Sequence, residues 1–394
     1  MPPPKIDLAA VLAPIETETF YETHLNRTAL YVEGTETKFA GLLDWSDIND
    51  IITYSQLNMG GFRLVYEKNN LPATELNRYE QWLEKGATLI INSLDQHHPA
   101  VYHLANALEL ELNTNVNINC YVSYPAKQGF DTHFDLHDVF VIQVTGRKTW
   151  TVFEPTLLHP THLMSKPDLE SPTENPYLER SMSTGDMMYI PRGHWHHALA
   201  ETPSVHLTVG PGERTPIHFL HNVLEKLLYG DEWFRRDFPL AAAAELAGHR
   251  EGLKAHFEEF RTRATELLGR DALFEAFIEY IQTANNKRST GRVLPDLWTL
   301  ENSITPDMTF RFIPLQKAVI RYDEQKKFGI VYLRGKPVHL DGVSAQTLSL
   351  IFESNTAFDG QMLMEYGNVS WEKAKSLLLT MYRQAIIVRD DVAH

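Results

Sequence analysis

Between Val116 and Val209 apolar and polar positions alternate in short runs rich in β-branched and aromatic residues, separated by turn residues. Val139–Val144 and Lys148–Phe153 each read as a strand with Gly146 marking the turn between them, and Gly185–His197 reads as a strand, a Pro/Gly turn and a second strand. Strands of this kind predict a double-stranded β-helix, a jelly-roll barrel with a pocket at one mouth. The stretch Pro155–Ser181, with several prolines and scattered charges, interrupts them. A long insert beside a pocket is either a substrate-binding lid or a plain surface loop.

Beyond Pro216 the period becomes helical. Leu220, Val223, Leu224 and Leu227 form one apolar stripe, Leu253, Phe257, Phe260, Ala264 and Leu267 a second, and Leu273, Phe274, Phe277, Ile278 and Ile281 a third. Such stripes normally face a core. Asn285–Arg292 is polar and rich in breakers, which places a linker there. Strands are then expected at Lys317–Tyr322, Phe328–Leu333 and Pro337–Leu340, and helices at Ser344–Phe352 and Ser370–Gln384, a mixture that suggests a winged helix. On the N-terminal side the pattern predicts a helix opening at Pro14, a strand at Leu30–Val32, and a helix over Asp44–Ile52 with Ile48, Ile51 and Ile52 on one face. Strands follow at Phe62–Tyr66 and Ala87–Ile91, then a helix from His98 to Leu112.

The chain has 394 residues, enough for two or three domains, with 43% hydrophobic and 22% charged residues, as in ordinary globular proteins. Its net charge of −15 argues against non-specific nucleic-acid binding, which needs many Lys and Arg contacts to phosphate, and weakly favours basic protein partners. Residues 300–394 balance 11 Lys/Arg against 11 Asp/Glu, so the winged-helix segment is expected to scaffold or to contact peptide. The single cysteine, Cys120, excludes an intrachain disulfide and reads as a small buried apolar side chain. No stretch has the length of a membrane span and the N-terminus lacks a signal-peptide pattern, so a cytoplasmic protein is expected.

The candidate chemistry centres on Thr132-His133-Phe134-Asp135. In an extended strand, residues two apart project to the same side, so His133 and Asp135 can grip one metal ion. The pair alone is weak in a chain with 18 histidines. The strand, Pro/Gly turn and strand of Gly185–His197 offer a third ligand. Two histidines and one carboxylate leave three open positions on a six-coordinate metal, the arrangement of non-haem Fe(II) oxygenases. Lys148 lies on a nearby strand, where a cation can bind the far carboxylate of a dicarboxylic cosubstrate. Adjacent His97 and His98, before a helix, read as solvated or capping residues. His137 shares parity with His133 and Asp135 but lies too far along to ligate, and His206 reads as a buried, hydrogen-bonded core residue.

Asn119-Cys120-Tyr121, Gln128-Gly129, His133-Phe134-Asp135, Asp138–Gln143, Gly146–Trp150 and Gly185–His196 together resemble the JmjC-type 2-oxoglutarate oxygenases, most closely their ribosomal oxygenase branch. The resemblance implies a mixed α/β fold: a β-barrel catalytic domain over 1–215, a helical dimerisation region over 216–290, and a winged-helix-like domain over 298–394. It makes His133, Asp135 and His196 the iron ligands. Lys148 and Thr208 would hold the C5 carboxylate of 2-oxoglutarate, with Asn119 and Tyr121 lining the cosubstrate and substrate pocket. His194 and His197 depart from the residues common in the family. The implied activity uses Fe(II), 2-oxoglutarate and O2 to hydroxylate a histidine or arginine side chain of a ribosomal protein, in a homodimeric enzyme. The same chemistry on a ribosomally made peptide or another protein is an alternative, and a non-catalytic cupin or winged-helix regulator is a third.

Overall fold

The structure is a computed structural model that describes residues 6–55, 61–125, 130–164, 169–237, 250–282, 294–312, 318–323, 328–333, 336–341, 343–354 and 356–390. The Gln128-Gly129 pair and the expected linker at Asn285–Arg292 lie outside the described residues. The chain divides into two compact units, one over residues 1–213 and one over 214–285 with 289–394.

In the first unit eleven strands are described: β1 (Leu30–Val32), β2 (Phe62–Tyr66), β3 (Asn69–Asn70), β4 (Thr88–Ile91), β5 (Val116–Ser123), β6 (Val139–Thr145), β7 (Lys148–Phe153), β8 (Leu178–Met182), β9 (Met187–Ile190), β10 (Trp195–Ala200) and β11 (Ser204–Pro211). Eight form an antiparallel sheet in the order β1-β9-β6-β11-β5-β4-β2-β3, and three form a second in the order β10-β7-β8. Residues of both sheets line one cavity. The insert expected over Pro155–Ser181 is therefore not all loop, because its end is β8, paired with β7.

Period-2 alternation decides what each sheet turns inward. On β5, Ile118, Cys120 and Val122 are buried in the main core, while Tyr121 and Ser123 line the cavity. On β11, Val205, Leu207 and Val209 join that core while His206 and Thr208 line the cavity. Helices cover the core side. Helix α1 (Leu8–Leu12) buries Leu8, Val11 and Leu12, and α2 (Thr17–Thr23) buries Phe20. Helix α3 (Trp45–Tyr54) starts with a capping box in which Asp44 and Asp47 each accept the other's backbone N–H. After α4 (Tyr79–Glu84), helix α5 (Pro99–Leu112) begins with proline at its first turn. β4 ends at Ile91, opposite Cys120, and beyond it carboxylates continue the edge: Asp95 accepts the Ile118 N–H at 2.8 Å and Glu109 the Val116 N–H at 3.0 Å.

The turn entering β9 depends on a close crossing. Asp186 is buried and accepts from Gly34 N–H (2.9 Å), Ser183 N–H (2.7 Å) and the Tyr31 hydroxyl (3.0 Å). Gly185 has φ +95°, and a Cβ there would lie 1.9 Å from the Thr35 carbonyl oxygen. Gly185→Ala should therefore combine left-handed strain with a backbone clash and lower stability by about 2–4 kcal/mol, read from urea unfolding. A change below about 0.5 kcal/mol, the size of an ordinary surface substitution, would contradict this close approach.

In the second unit, α6 (Pro216–Phe219) leads through one wider helical turn into α7 (Glu225–Gly230), followed by α8 (Arg250–Leu268) and α9 (Asp271–Gln282). Phe219 packs edge-on against Phe277 at 5.4 Å. The three apolar stripes are not simply core, as their pattern had suggested: Leu220, Phe257, Phe274, Phe277 and Ile281 are exposed, Phe274 by 62%. A separate core gathers Phe310, Phe358, Leu348, Ile351, Leu378 and Met381. It is built from α10 (Leu294–Ser303), β12 (Thr309–Phe312), β13 (Ala318–Asp323), β14 (Phe328–Leu333), β15 (Lys336–Asp341), α11 (Ala345–Phe352), β16 (Phe358–Asp359), α12 (Gly360–Gly367), α13 (Trp371–Arg383) and β17 (Ile387–Arg389). Ser344, Asp359 and Ser370 cap α11, α12 and α13 through side-chain oxygens. The two sheets, β16-β12-β17 and β13-β14-β15, are each antiparallel.

Candidate metal centre

His133 does not sit in a regular strand, as its spacing from Asp135 had suggested. It forms a single antiparallel bridge with His196 at the start of β10, His133 N–H to His196 O at 3.0 Å and His196 N–H to His133 O at 2.7 Å. This bridge brings the two imidazoles side by side, centroids 4.5 Å apart. Each ring uses Nδ1 on a backbone carbonyl, His133 on Asp131 O at 2.8 Å and His196 on His194 O at 3.0 Å. A carbonyl only accepts, so both Nδ1 atoms carry hydrogen, and in a neutral ring this tautomer leaves the Nε2 lone pair for a metal. Asp135 completes the group: one ligand atom from each of His133, Asp135 and His196 falls within 4.8 Å of the others. Burial, and next the neighbouring His133 ring, lowers the His196 pKa to about 4, which keeps it in the neutral, metal-binding form. Two imidazoles and one carboxylate suit a first-row transition metal.

The turn between β9 and β10 holds His196 in place. Gly193 has φ +85° and donates its N–H to Asp135 O at 3.0 Å, tying that turn to the segment carrying Asp135. Asp138 accepts from Arg192 N–H and from the Tyr189 hydroxyl, each at 3.0 Å. Arg192 in turn pairs with the buried carboxylate of Glu213 at 3.0 Å.

The triad lines a cavity of about 680 Å³, counted to its open mouth, that Lys148 also lines. Lys148 is 5% exposed, and burial lowers its pKa to about 7. Its Nζ donates to Ser123 Oγ at 3.0 Å and to His206 Nδ1 at 3.4 Å. Ser123 Oγ also pairs with Thr88 Oγ1 at 3.0 Å. A cavity lined by both a set of metal ligands and a buried lysine is complementary to a small dianion.

Residues 93–218 match the family model described as "JmjC domain", a span that contains the triad and Lys148. These residues form a JmjC domain. Ribosomal oxygenase 1 of Gallus gallus is 29% identical over 235 residues, covering 55% of this chain and 38% of the relative. The bifunctional lysine-specific demethylase and histidyl-hydroxylase NO66 of Caenorhabditis elegans is 24% identical over 235 residues, covering 55% and 31%. The chain thus spans less than half the length of these curated relatives. The crystal structure of Escherichia coli ribosomal oxygenase YcfD superposes with a TM-score of 0.62 at 16% identity, covering 95% of this chain and 98% of that one, a likeness of fold. YcfD has also been solved in complex with cobalt and 2-oxoglutarate, with a TM-score of 0.58 at 17% identity and coverage of 96% and 99%.

Within the JmjC domain the structure brings together His133, Asp135, His196, Lys148, Thr208 and Tyr121, all of which line the cavity. Asn119, expected in the same pocket, is not among the lining residues; its Oδ1 accepts the Ser93 N–H at 2.9 Å. His137 stays out of the triad, with Nδ1 on Asp138 O at 2.8 Å and its ring stacked on His162. His194 is buried against the Tyr177 hydroxyl at 2.8 Å, and burial lowers its pKa to about 4. His197 lines the cavity and meets Thr132 Oγ1 at 3.1 Å. His98 lies 3.5 Å from Asp47. Sequence reasoning missed Ser123 and Thr88; it read His206 as a buried, hydrogen-bonded core residue, and His206 is indeed buried and hydrogen-bonded but also lines the cavity beside Lys148. Parity with Thr208 on β11 was the signal for His206; nothing in the sequence pointed to Thr88.

Proposed function

We propose that this chain is an Fe(II)- and 2-oxoglutarate-dependent protein hydroxylase acting on a histidine or arginine side chain of a ribosomal protein. The reading rests on one observation above the rest. One ligand atom from each of His133, Asp135 and His196 converges within 4.8 Å of the others, in a cavity that the buried Lys148 also lines. The names of the relatives, ribosomal oxygenase and histidyl-hydroxylase, and the cobalt and 2-oxoglutarate complex of YcfD support it.

His133, Asp135 and His196 would hold the iron on one face, leaving the opposite positions for ligands. When bound, iron with 2-oxoglutarate and O2 supplies oxygen insertion into a C–H bond, with 2-oxoglutarate converted to succinate and CO2. Lys148 and Thr208 would bind the distal carboxylate, a charge-assisted contact strengthened by exclusion of water. Tyr121, Phe130 and Trp150 wall the cavity and limit that access. The protein's share of catalysis is thus orientation of the reactants and exclusion of water.

The second unit fits a winged-helix-like module, and the exposed face of Phe257, Phe274, Phe277 and Ile281 fits burial against a second copy in a homodimer. A buried, unpaired cysteine agrees with a cytoplasmic setting. Among the described residues no helix is long and apolar enough to cross a membrane.

Mass spectrometry of ribosomal proteins from a strain lacking this gene should reveal the loss of a single-oxygen mass increment on one protein, restored by the wild-type gene. Light scattering of the purified chain should give twice the monomer mass. A metal-loaded protein with no affinity for 2-oxoglutarate would remove the enzymatic reading.

A further inference from the structure

We propose that His206 is a positioning residue for the distal carboxylate of the cosubstrate: it aims the Lys148 ammonium through Nδ1 and so sets the preference for a dicarboxylic 2-oxo acid. This rests on the 2-oxoglutarate reading of the cavity and goes beyond it, since it concerns what orients the lysine.

A lysine presents three donors on a flexible stem, so a lone ammonium has no fixed direction. Here two acceptors fix it. Ser123 Oγ and His206 Nδ1 lie 3.0 and 3.4 Å from Nζ, which leaves the remaining N–H for a ligand. The serine hydroxyl is itself shared with Thr88 and rotates freely about its own bond. The histidine cannot. Its ring is 2% exposed, stacks on Tyr121 at 4.8 Å with an interplanar angle of 12°, and meets Trp150 edge-on at 5.4 Å. Register makes this clamp, because β11 pairs His206 with Tyr121 of β5 while Trp150 projects from β7, two residues beyond Lys148. Burial holds the imidazole well below its ordinary pKa, and the nearby ammonium adds to the effect, so the ring is neutral and Nδ1 is free to accept. At 3.4 Å the contact is long, and its contribution is direction more than strength.

Two substitutions separate the acceptor from the ring. His206→Phe keeps an aromatic ring against Tyr121 but removes Nδ1; His206→Asn keeps an acceptor and loses the ring. The Mn(II)-loaded protein, held free of O2, is titrated calorimetrically with 2-oxoglutarate and with 2-oxopentanoate, which has the same chain length and a methyl group in place of the distal carboxylate. The wild type should prefer 2-oxoglutarate. His206→Phe should cut that preference about 10-fold, the worth of one hydrogen bond to a charged group, and leave 2-oxopentanoate binding within about 2-fold. His206→Asn should keep most of the preference. A preference unchanged in His206→Phe but lost in Lys148→Met overturns the role of His206 and leaves the cosubstrate reading intact. A wild type with no preference between the two acids overturns both.

Discussion

Replacing Asp135 with alanine is expected to lower affinity for Fe(II) or Mn(II) at least about 10²-fold and to reduce 2-oxoglutarate turnover to background, because loss of an outer-shell partner alone commonly costs 10- to 100-fold. The carboxylate is the only anionic donor among the three groups that converge within 4.8 Å, so its removal leaves two neutral nitrogens and takes away the site's charge complement. The His133–His196 bridge is formed by backbone atoms and should survive, which keeps the variant folded. His137→Ala is the paired control. Its Nδ1 is engaged with Asp138 O and its ring with His162, so metal affinity should change less than about 3-fold, within the scatter of a residue outside the ligand set. Metal titration followed by succinate release measures both variants. Equal loss in the two would mean that the ligand set has been misassigned.

How far the site could be read from the chain depends on which of its contacts are local. His133 and Asp135 stand two apart, and His196 follows a Pro/Gly turn, so a motif carries all three. The reason first given for their convergence was incomplete. The structure places them on a one-residue bridge and a turn, held by the Gly193 N–H and by Asp138 beneath Arg192. Ser123, Thr88 and His206 escape a reading by motif because only the register of β4, β5 and β11 brings them to Lys148. Register is set by the packing of a whole sheet, and no stretch of sequence states it.

The fold shows the same division. Strands with alternating burial, such as β5, and helices with strong caps, such as α3, leave a clear periodic trace. Helix α12 left none that was recognised: its eight residues carry glycine at both ends, and its stability comes from the Asp359 cap and from Leu363 in the core. The short strands β16 and β17 exist because β12 offers them two edges, a tertiary cause invisible locally. In α8 and α9 the periodicity was real but its meaning was not fixed, since an apolar stripe records that something covers it and not what.

Lys148→Met should have two effects of opposite sign, both large. Binding of 2-oxoglutarate should weaken about 10- to 100-fold through loss of the charge-assisted contact to its distal carboxylate. The ligand-free protein should become more stable. Burial holds the Lys148 pKa at about 7 against an ordinary 10.5, so between those values the unfolded chain binds a proton that the folded chain does not. Stability therefore rises with pH across that window, and the cost of burying the ammonium is greatest below about 7, on the order of a few kcal/mol. Methionine, of similar length and uncharged, removes that cost, so the melting temperature of the variant should exceed that of wild type near pH 7 and the gap should close as pH approaches 10.5. A carboxylate arriving beside Lys148 raises its pKa again. At pH 8 the wild type should consequently take up close to one proton per 2-oxoglutarate bound, seen as a binding enthalpy that depends on the buffer's ionisation enthalpy, and Lys148→Met should take up none. A variant that binds 2-oxoglutarate as tightly as wild type, or that melts lower at pH 7, would mean that the buried lysine is structural and that the anion is recognised elsewhere.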